Sequence, residues 1–187
     1  LHVCDRNLEQ IKTENITTHN LLVDVCMAAK FEGQSITQDY PKYIATYNDS
    51  PSKMCTMLAR SFADIGDIVR GKDLYLGNKK KSENKREKEK LENKLKEYFE
   101  IIYEKLEEPA KEHYKEDKET GNYYKLREDW WALNRQEIWK AITCEHPGGT
   151  YFRKTACGGG RSETNNNCRC KTNDVPTYFD YVPQYLR

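Results

Sequence analysis

The strongest hydrophobic pattern of the chain lies between Tyr123 and Ile142. At 3.6 residues per turn, one stripe carries Leu126, Trp130, Leu133, Glu137 and Ala141, and its neighbour carries Trp131, Ile138 and Ile142 with Trp139 beside them. All three tryptophans of the chain lie in this stretch. A helix that is apolar over so much of its circumference needs cover on two sides, so the pattern predicts the central helix of a helical bundle. Core packing accounts for these aromatic residues better than a ligand platform does.

Two weaker patterns lie near the start of the chain. Residues 18–31 place Leu21, Leu22, Val25, Cys26 and Ala29 on one helical face, with an N-cap in the polar stretch before them. We expect Gly33 to end this helix. Residues 33–52 contain two prolines and several turn-forming side chains, which indicates a turn region around one short helix.

A further helix is predicted from an N-cap at Ser52, with apolar positions at Met54, Met57, Leu58, Phe62, Ile65, Ile68 and Val69. Gly66 lies inside it, and a glycine there costs about 1 kcal/mol relative to alanine. We therefore expect another backbone or a large ring to approach Gly66 closely. Asp64 and Asp67 share a helix face, and pairing with Arg60, Arg70 or a backbone amide explains them better than a catalytic pair of carboxylates.

A charged stretch precedes another amphipathic helix. Residues 79–90 hold seven basic and three acidic side chains, a local charge of +4. The apolar stripe that follows comprises Leu91, Leu95, Tyr98, Phe99, Ile102 and Leu106, and Pro109 is expected to break or kink the helix. Beyond Gly149, glycine and asparagine triplets mark a loop, and residues 174–187 form an aromatic, proline-interrupted arm that we expect to pack in an extended form.

Composition limits the classes of protein that fit. The 187 residues carry a net charge of only +1, although 33% of them are charged, so electrostatic binding must come from local clusters. The 13 tyrosines and the tryptophans argue against wholesale disorder. No apolar run is long enough for membrane insertion, and no leader precedes the first helix. The odd number of cysteines, and the position of Cys4 close to the first residue, lead us to expect a fragment of a larger protein.

The cysteines indicate a disulfide framework in an oxidising compartment. The seven candidates for bridges are Cys4, Cys26, Cys55, Cys144, Cys157, Cys168 and Cys170. The alternative is a zinc site that uses Cys144, His146, Cys157 and the pair Cys168 and Cys170. Its spacing matches none of the usual Cys-x2-Cys types, so disulfides are favoured and no metal is expected.

Several stretches together resemble the Duffy-binding-like domains of malaria parasites. They are the segments 4–8, 61–68, 130–142 and 175–186, which read CDRNL, SFADIGDI, WWALNRQEIWKAI and VPTYFDYVPQYL. The resemblance covers essentially the whole chain, and it is closest to the alpha-class domain at the head of the Plasmodium falciparum variant erythrocyte membrane protein 1 adhesins. It implies a mainly α, disulfide-braced helical bundle with long loops. Residues 1–50 would be part of subdomain 1 and residues 51–187 would be subdomain 2, with the C-terminal helical subdomain missing.

The same resemblance implies a role and a location. The domain would be an adhesion module on the surface of the infected erythrocyte, with roles in rosetting, antigenic variation and virulence. Its partners would be host sulfated glycans such as heparan sulfate, blood-group sugars or complement receptor, besides host antibodies and the remainder of the parent adhesin. By analogy, Cys55 would pair with Cys168 or Cys170.

The residues themselves point to binding rather than catalysis. The four histidines are scattered, and no phosphate-binding glycine loop or cofactor motif is present. A linear polyanion such as a sulfated glycan gains affinity from clustered cations by counterion release. The candidate glycan-binding residues are Lys79, Lys80, Lys81, Lys85, Arg86, Lys88 and Lys90. The alternatives are a solvated helix end without a partner, a nucleic-acid site, which the interleaved acids disfavour, and a spacer domain without any receptor site.

Overall fold

The computed structural model describes residues 7–47, 53–73, 82–144, 151 and 153–187, without the side chains of residues 43–47 and 82–86. Over these ranges the chain forms six helices: α1 (Thr18–Tyr47), α2 (Lys53–Arg70), α3 (Ser82–Glu104), α4 (Ala110–His113), α5 (Lys115–Thr120) and α6 (Tyr124–Ile142). Short 3-10 turns cover Leu8–Gln10, Thr13–Asn15, Phe179–Tyr181 and Gln184–Leu186. The predicted mainly α architecture is confirmed. Within these ranges no helix is both long and apolar enough to cross a membrane.

Helix α6 lies at the centre of the bundle, as its sequence pattern predicts. It packs against α1, α2, α3 and α5. The side chains of Trp130, Trp131 and Trp139 are all buried. Leu133 departs from the prediction because it is 83% exposed. Covering α6 on two sides leaves a third face in solvent, and Leu133 lies there beside the exposed Glu137.

Helix α1 runs without interruption through the region predicted to be a turn. Gly33 does not end it but lies inside it, and Pro41 is also within the helix. A Cβ atom on Gly33 would lie 2.0 Å from the carbonyl oxygen of Ile142. The glycine is therefore required for the close approach of α1 to the end of α6, and the prediction of a helix end was wrong because it weighed only local turn signals.

Helix α2 provides the second layer against α6. Gly66 faces the ring of Trp131, and a Cβ atom there would lie 2.7 Å from the indole. The predicted close approach of a large ring is thus confirmed. Phe62, one turn earlier, places its ring 5.1 Å from that of Trp131 and 5.3 Å from that of Trp139. These three rings form the middle of the core.

Helix α3 buries the predicted stripe, and Leu91, Leu95, Tyr98, Phe99 and Ile102 are each at most 4% exposed. The Tyr98 hydroxyl donates a 2.8 Å hydrogen bond to the carbonyl oxygen of Leu8, which fastens the first 3-10 turn to the helix. The helix ends at Glu104, ahead of Pro109. One continuous core extends from Leu8 to Val175 and includes residues on both sides of position 50. The boundary between residues 1–50 and 51–187 stays a prediction.

Two disulfides brace the C-terminal part of the chain. Cys55 on α2 pairs with Cys168, which confirms the predicted pairing, and Cys157 pairs with Cys170. Three of the cysteines of the alternative zinc set are therefore consumed in bridges. Two of the seven candidates for bridges, Cys26 and Cys144, are free thiols. Cys4 and His146 lie outside the described residues.

Candidate functional site

The structure describes only part of the basic run that sequence analysis proposed for glycan binding. Lys79, Lys80 and Lys81 lie outside the described residues, and Lys85 and Arg86 are described only as backbone of α3. Lys88 and Lys90 are placed in full. The Lys88 Nζ lies 2.9 Å from a carboxylate oxygen of Asp73, and the Lys90 Nζ lies 2.8 Å from one of Glu9. Both lysines are therefore partly neutralised by acids from other parts of the chain.

The surface of α3 around Lys90 is of mixed charge. An open groove of about 360 Å³ runs along it, lined by Glu89, Lys90, Asn93, Lys94 and Glu97. Lys94 pairs with Glu97 at 2.9 Å, and the hydrogen bond to Glu9 raises the pKa of Lys90. The groove has two acids and two lysines, so it offers a polyanion little net attraction. The role of the whole run stays a prediction.

The two aspartates of α2 hold the last residue of the chain. The Arg187 side chain is only 3% exposed, and its guanidinium pairs with Asp64 at 3.4 Å and with Asp67. Burial raises the pKa of both carboxyl groups, while the charge of Arg187 acts in the opposite direction. The paired-carboxylate pattern is thus structural. Its partners are Arg187 and Arg70 rather than a substrate.

Arg70 links α2, α6 and the C-terminal arm. Its Nε donates to the Gly66 carbonyl at 2.9 Å, and its Nη atoms reach Asp67 at 3.1 Å and Glu128 at 3.0 Å. The same guanidinium donates to the carbonyl oxygen of Asp180. Burial of Glu128 is outweighed by Lys72 and Arg70, which hold the pKa of that carboxyl below its usual range. This network anchors the arm. The positive and negative charges within the network neutralise one another.

The outer side of the arm is aromatic and exposed. Tyr178, Tyr185 and Leu186 are 70%, 76% and 65% exposed, and Tyr181 is 47% exposed. The guanidinium of Arg135 lies over two of these rings, which are neighbours, 5.3 Å from the centre of Tyr178 and 5.4 Å from that of Tyr181. Tyrosine and arginine are frequent anchors at protein interfaces. The sequence pattern predicts an aromatic arm but does not indicate Arg135, which comes from α6 and has no sequence signal linking it to the arm.

The family model for the Duffy binding domain matches residues 1–187. The chain belongs to the Duffy binding domain family. No curated protein matches the chain significantly.

Solved structures agree with this membership. The NTS-DBL1α1 domain of PfEMP1 from the Plasmodium falciparum varO strain is 43% identical, with a TM-score of 0.79 over 99% of this chain and 40% of that one. The ICAM-1-binding DBLβ domain of PfEMP1 IT4var13 is 32% identical, with a TM-score of 0.69 over 99% of this chain and 39% of that one. The DBLβ domain bound to ICAM-1 is 30% identical, with a TM-score of 0.68 over 99% and 40%. This Duffy binding domain chain therefore spans about two fifths of its relatives' chains.

Proposed function

We propose that the chain is part of a non-catalytic adhesion module, exposed on the infected erythrocyte surface, that binds receptors on host cells. The observation that carries the proposal is the DBLβ relative bound to ICAM-1, which matches 99% of this chain at a TM-score of 0.68. A shared fold alone does not imply a shared partner. The proposal therefore concerns the class of function, and the receptor of this chain is a separate question.

The geometry supports a surface role. The described carboxylates that resembled a catalytic pair are bound by arginines, and the described cysteines of the alternative zinc set are mostly in bridges. The large side chains left exposed on the arm are tyrosines and a leucine, of the kind that protein interfaces bury. The helical bundle is thus a rigid scaffold that carries exposed loops and an exposed arm.

For the receptor we propose sulfated glycans such as heparan sulfate, with blood-group sugars and glycoproteins such as complement receptor as the other candidates. Such contacts would support rosetting and cytoadherence. The basic run from Lys79 to Lys90 remains a candidate contact, in which Lys88 and Lys90 are already paired with acids.

Receptor class can be tested on cells stripped of one receptor at a time. The oxidised chain is added to erythrocytes and endothelial cells before and after treatment with heparin lyase or with trypsin, and bound chain is counted by flow cytometry. A sulfated-glycan receptor predicts loss of binding after the lyase, whereas a glycoprotein receptor predicts loss after trypsin alone. Binding that survives both treatments would contradict both receptor assignments.

The second candidate function is a spacer without its own receptor site. The network of charged residues is compatible with a spacer, because Arg70, Arg187, Asp64 and Asp67 pair with one another and hold the arm. A folded chain that binds neither cell type would support the spacer.

A further inference from the structure

We infer that residues 153–171, here called the disulfide loop, form the principal contact of this chain for a sulfated polysaccharide. The inference rests on the proposed host-surface adhesion and assigns it a surface that sequence analysis did not consider. The loop carries five basic residues and one acidic residue: Arg153, Lys154, Arg161, Arg169 and Lys171 against Glu163. Its net charge of +4 equals that of the predicted basic run, although the whole chain has a net charge of only +1.

The exposed cations of the loop differ from the two fully described lysines of the basic run, Lys88 and Lys90, in having no partner among the described residues. Arg153, Lys154, Arg161 and Lys171 are exposed, and none of their side chains makes an ion pair or a hydrogen bond within the structure as described. Lys88 and Lys90, by contrast, are paired with Asp73 and Glu9. A polyanion that binds the loop therefore has no internal ion pair to break, and it gains the full release of its counterions.

Hydrogen bonds and a disulfide bring two of these cations, Arg161 and Lys171, to one bridge. The Cα atoms of Cys157 and Cys170 lie 5.5 Å apart, which brings the end of the loop that carries Lys171 back to its middle. The Cys157 N–H donates to the Ser162 carbonyl at 2.9 Å, so Arg161 lies beside the same bridge. The Gly158 N–H donates to the Asp174 carboxylate at 2.7 Å, so this nearby acid binds the backbone rather than a cation of the loop.

Arg169 fastens the loop to the bundle without losing its charge. Its guanidinium donates to the Thr143 hydroxyl at 2.7 Å and to the Lys140 carbonyl at 2.6 Å, and both acceptors are neutral. They lie at the C-terminal end of α6, where the helix dipole favours a cation. The neighbouring Cys168 is tied to Cys55 on α2. The loop is therefore positioned before it meets a ligand, which lowers the entropic cost of binding.

The chemistry of the loop fits a sulfated glycan better than a nucleic acid. Single-stranded nucleic acids are bound by aromatic side chains that stack on the bases. The loop contains no aromatic residue. It offers instead the exposed Ser162 and Asn166, whose side chains suit sugar hydroxyls. Its two bridges also belong to an oxidising, extracellular setting.

The test measures heparin binding of the oxidised chain across a salt series. The loop variant is R153Q/K154Q/R161Q/K171Q, and the matched control is K111Q/K115Q/K118Q/K125Q, which also removes four exposed or half-exposed positive charges. Circular dichroism and a mass check of both disulfides confirm folding of each variant. Losing four contacts should lower the slope of log affinity against log salt by about 3, so the wild-type affinity should fall about 60-fold more than the variant's between about 50 and 200 mM salt.

The inference is supported if the loop variant shows this smaller salt slope and a weaker heparin affinity while the control variant stays close to wild type. The inference would be overturned if both variants lost the same heparin affinity or if the loop variant bound heparin as the wild type does. It would also be overturned if the wild-type chain did not bind heparin. A single-stranded DNA that competes as well as heparin at equal charge would overturn the assignment to a glycan. A third variant, with Ser at Lys79, Lys80, Lys81, Lys85, Arg86 and Lys88, separates the two proposals: if it alone loses heparin, adhesion through the basic run stands and the loop assignment falls.

Discussion

At the scale of single residues, Asp180 joins the C-terminal arm to the centre of the bundle. Its side chain is fully buried and accepts three hydrogen bonds, one from the Trp131 Nε1 at 2.9 Å and two from Arg135 at 2.8 Å. A planar guanidinium that meets both oxygens of a carboxylate gives the strongest kind of side-chain pair. The attachment of the arm to α6 thus depends on one carboxylate, which is far from α6 in sequence.

Replacing this carboxylate tests its role. The variant D180N removes the charge opposite the nearly buried Arg135 and should destabilise the chain by about 3–5 kcal/mol, because a buried charge is left without its partner. Urea unfolding followed by tryptophan fluorescence measures the change. The control D39N makes the same substitution in a pair with Lys42 whose side chains are 74% and 84% exposed, and should cost less than about 0.5 kcal/mol. Similar costs for the two variants would show that Asp180 is not an anchor.

Gly66 gives a second prediction at this scale. The variant G66A places a methyl group 2.7 Å from the Trp131 ring and should destabilise the chain by about 1–3 kcal/mol, although alanine is the better helix former. The control S35A, at an exposed position of α1, should change the unfolding free energy by less than about 0.5 kcal/mol. A G66A chain more stable than wild type would contradict the close packing described for α2 and α6.

The two free thiols should differ in reactivity. Burial, reinforced by the charge of Glu137, raises the pKa of Cys26 to about 11, whereas Cys144 is exposed. A thiol reacts as its thiolate, so at pH 8 a shift of this size leaves Cys26 with about 100-fold less thiolate than an ordinary cysteine. Iodoacetamide labelling with peptide mapping should modify Cys144 first, and labelling of Cys26 should accelerate as the pH rises towards 11. Equal labelling rates at pH 8 would refute this environment for Cys26.

At the scale of elements, the two disulfides constrain loops of very different length. Cys55 and Cys168 are separated by 113 positions, and Cys157 and Cys170 by 13. Since a cross-link restricts the unfolded chain more when its loop is longer, C55A/C168A should cost about 5 kcal/mol and C157A/C170A about 3 kcal/mol. Paired unfolding curves compare them. A larger cost for the short loop would mean that native packing, rather than chain entropy, sets the value of these bridges.

The elements also show what the sequence could predict. Periodicity located α2, α3 and α6 because each buries a continuous stripe against the core. It failed at Gly33, where the contact that matters is with the carbonyl of Ile142, more than a hundred positions away. It could not indicate the partners of Lys88 and Lys90 either, because Asp73 and Glu9 lie on other segments. Local pattern identifies helices, whereas the pairing of surface charges depends on which distant segments the fold brings together.

At the scale of the whole molecule, polar chemistry is divided between inside and outside. The arginines that touch the arm are balanced by buried carboxylates and hold it in place. The four exposed cations of the disulfide loop, Arg153, Lys154, Arg161 and Lys171, have no such partners among the described residues and face solvent. This division is what a displayed adhesion module needs, because the scaffold stays rigid while its exposed charges remain available to a host ligand.

The most direct test of this account is saturable binding of the chain to uninfected erythrocytes. Flow cytometry compares the oxidised chain with the same chain reduced and alkylated, over a series of concentrations. We predict that only the oxidised chain binds saturably, because the disulfides position the loop and the arm. A cooperatively folded, oxidised chain that binds erythrocytes no better than its reduced form would contradict the adhesion proposal and favour a spacer.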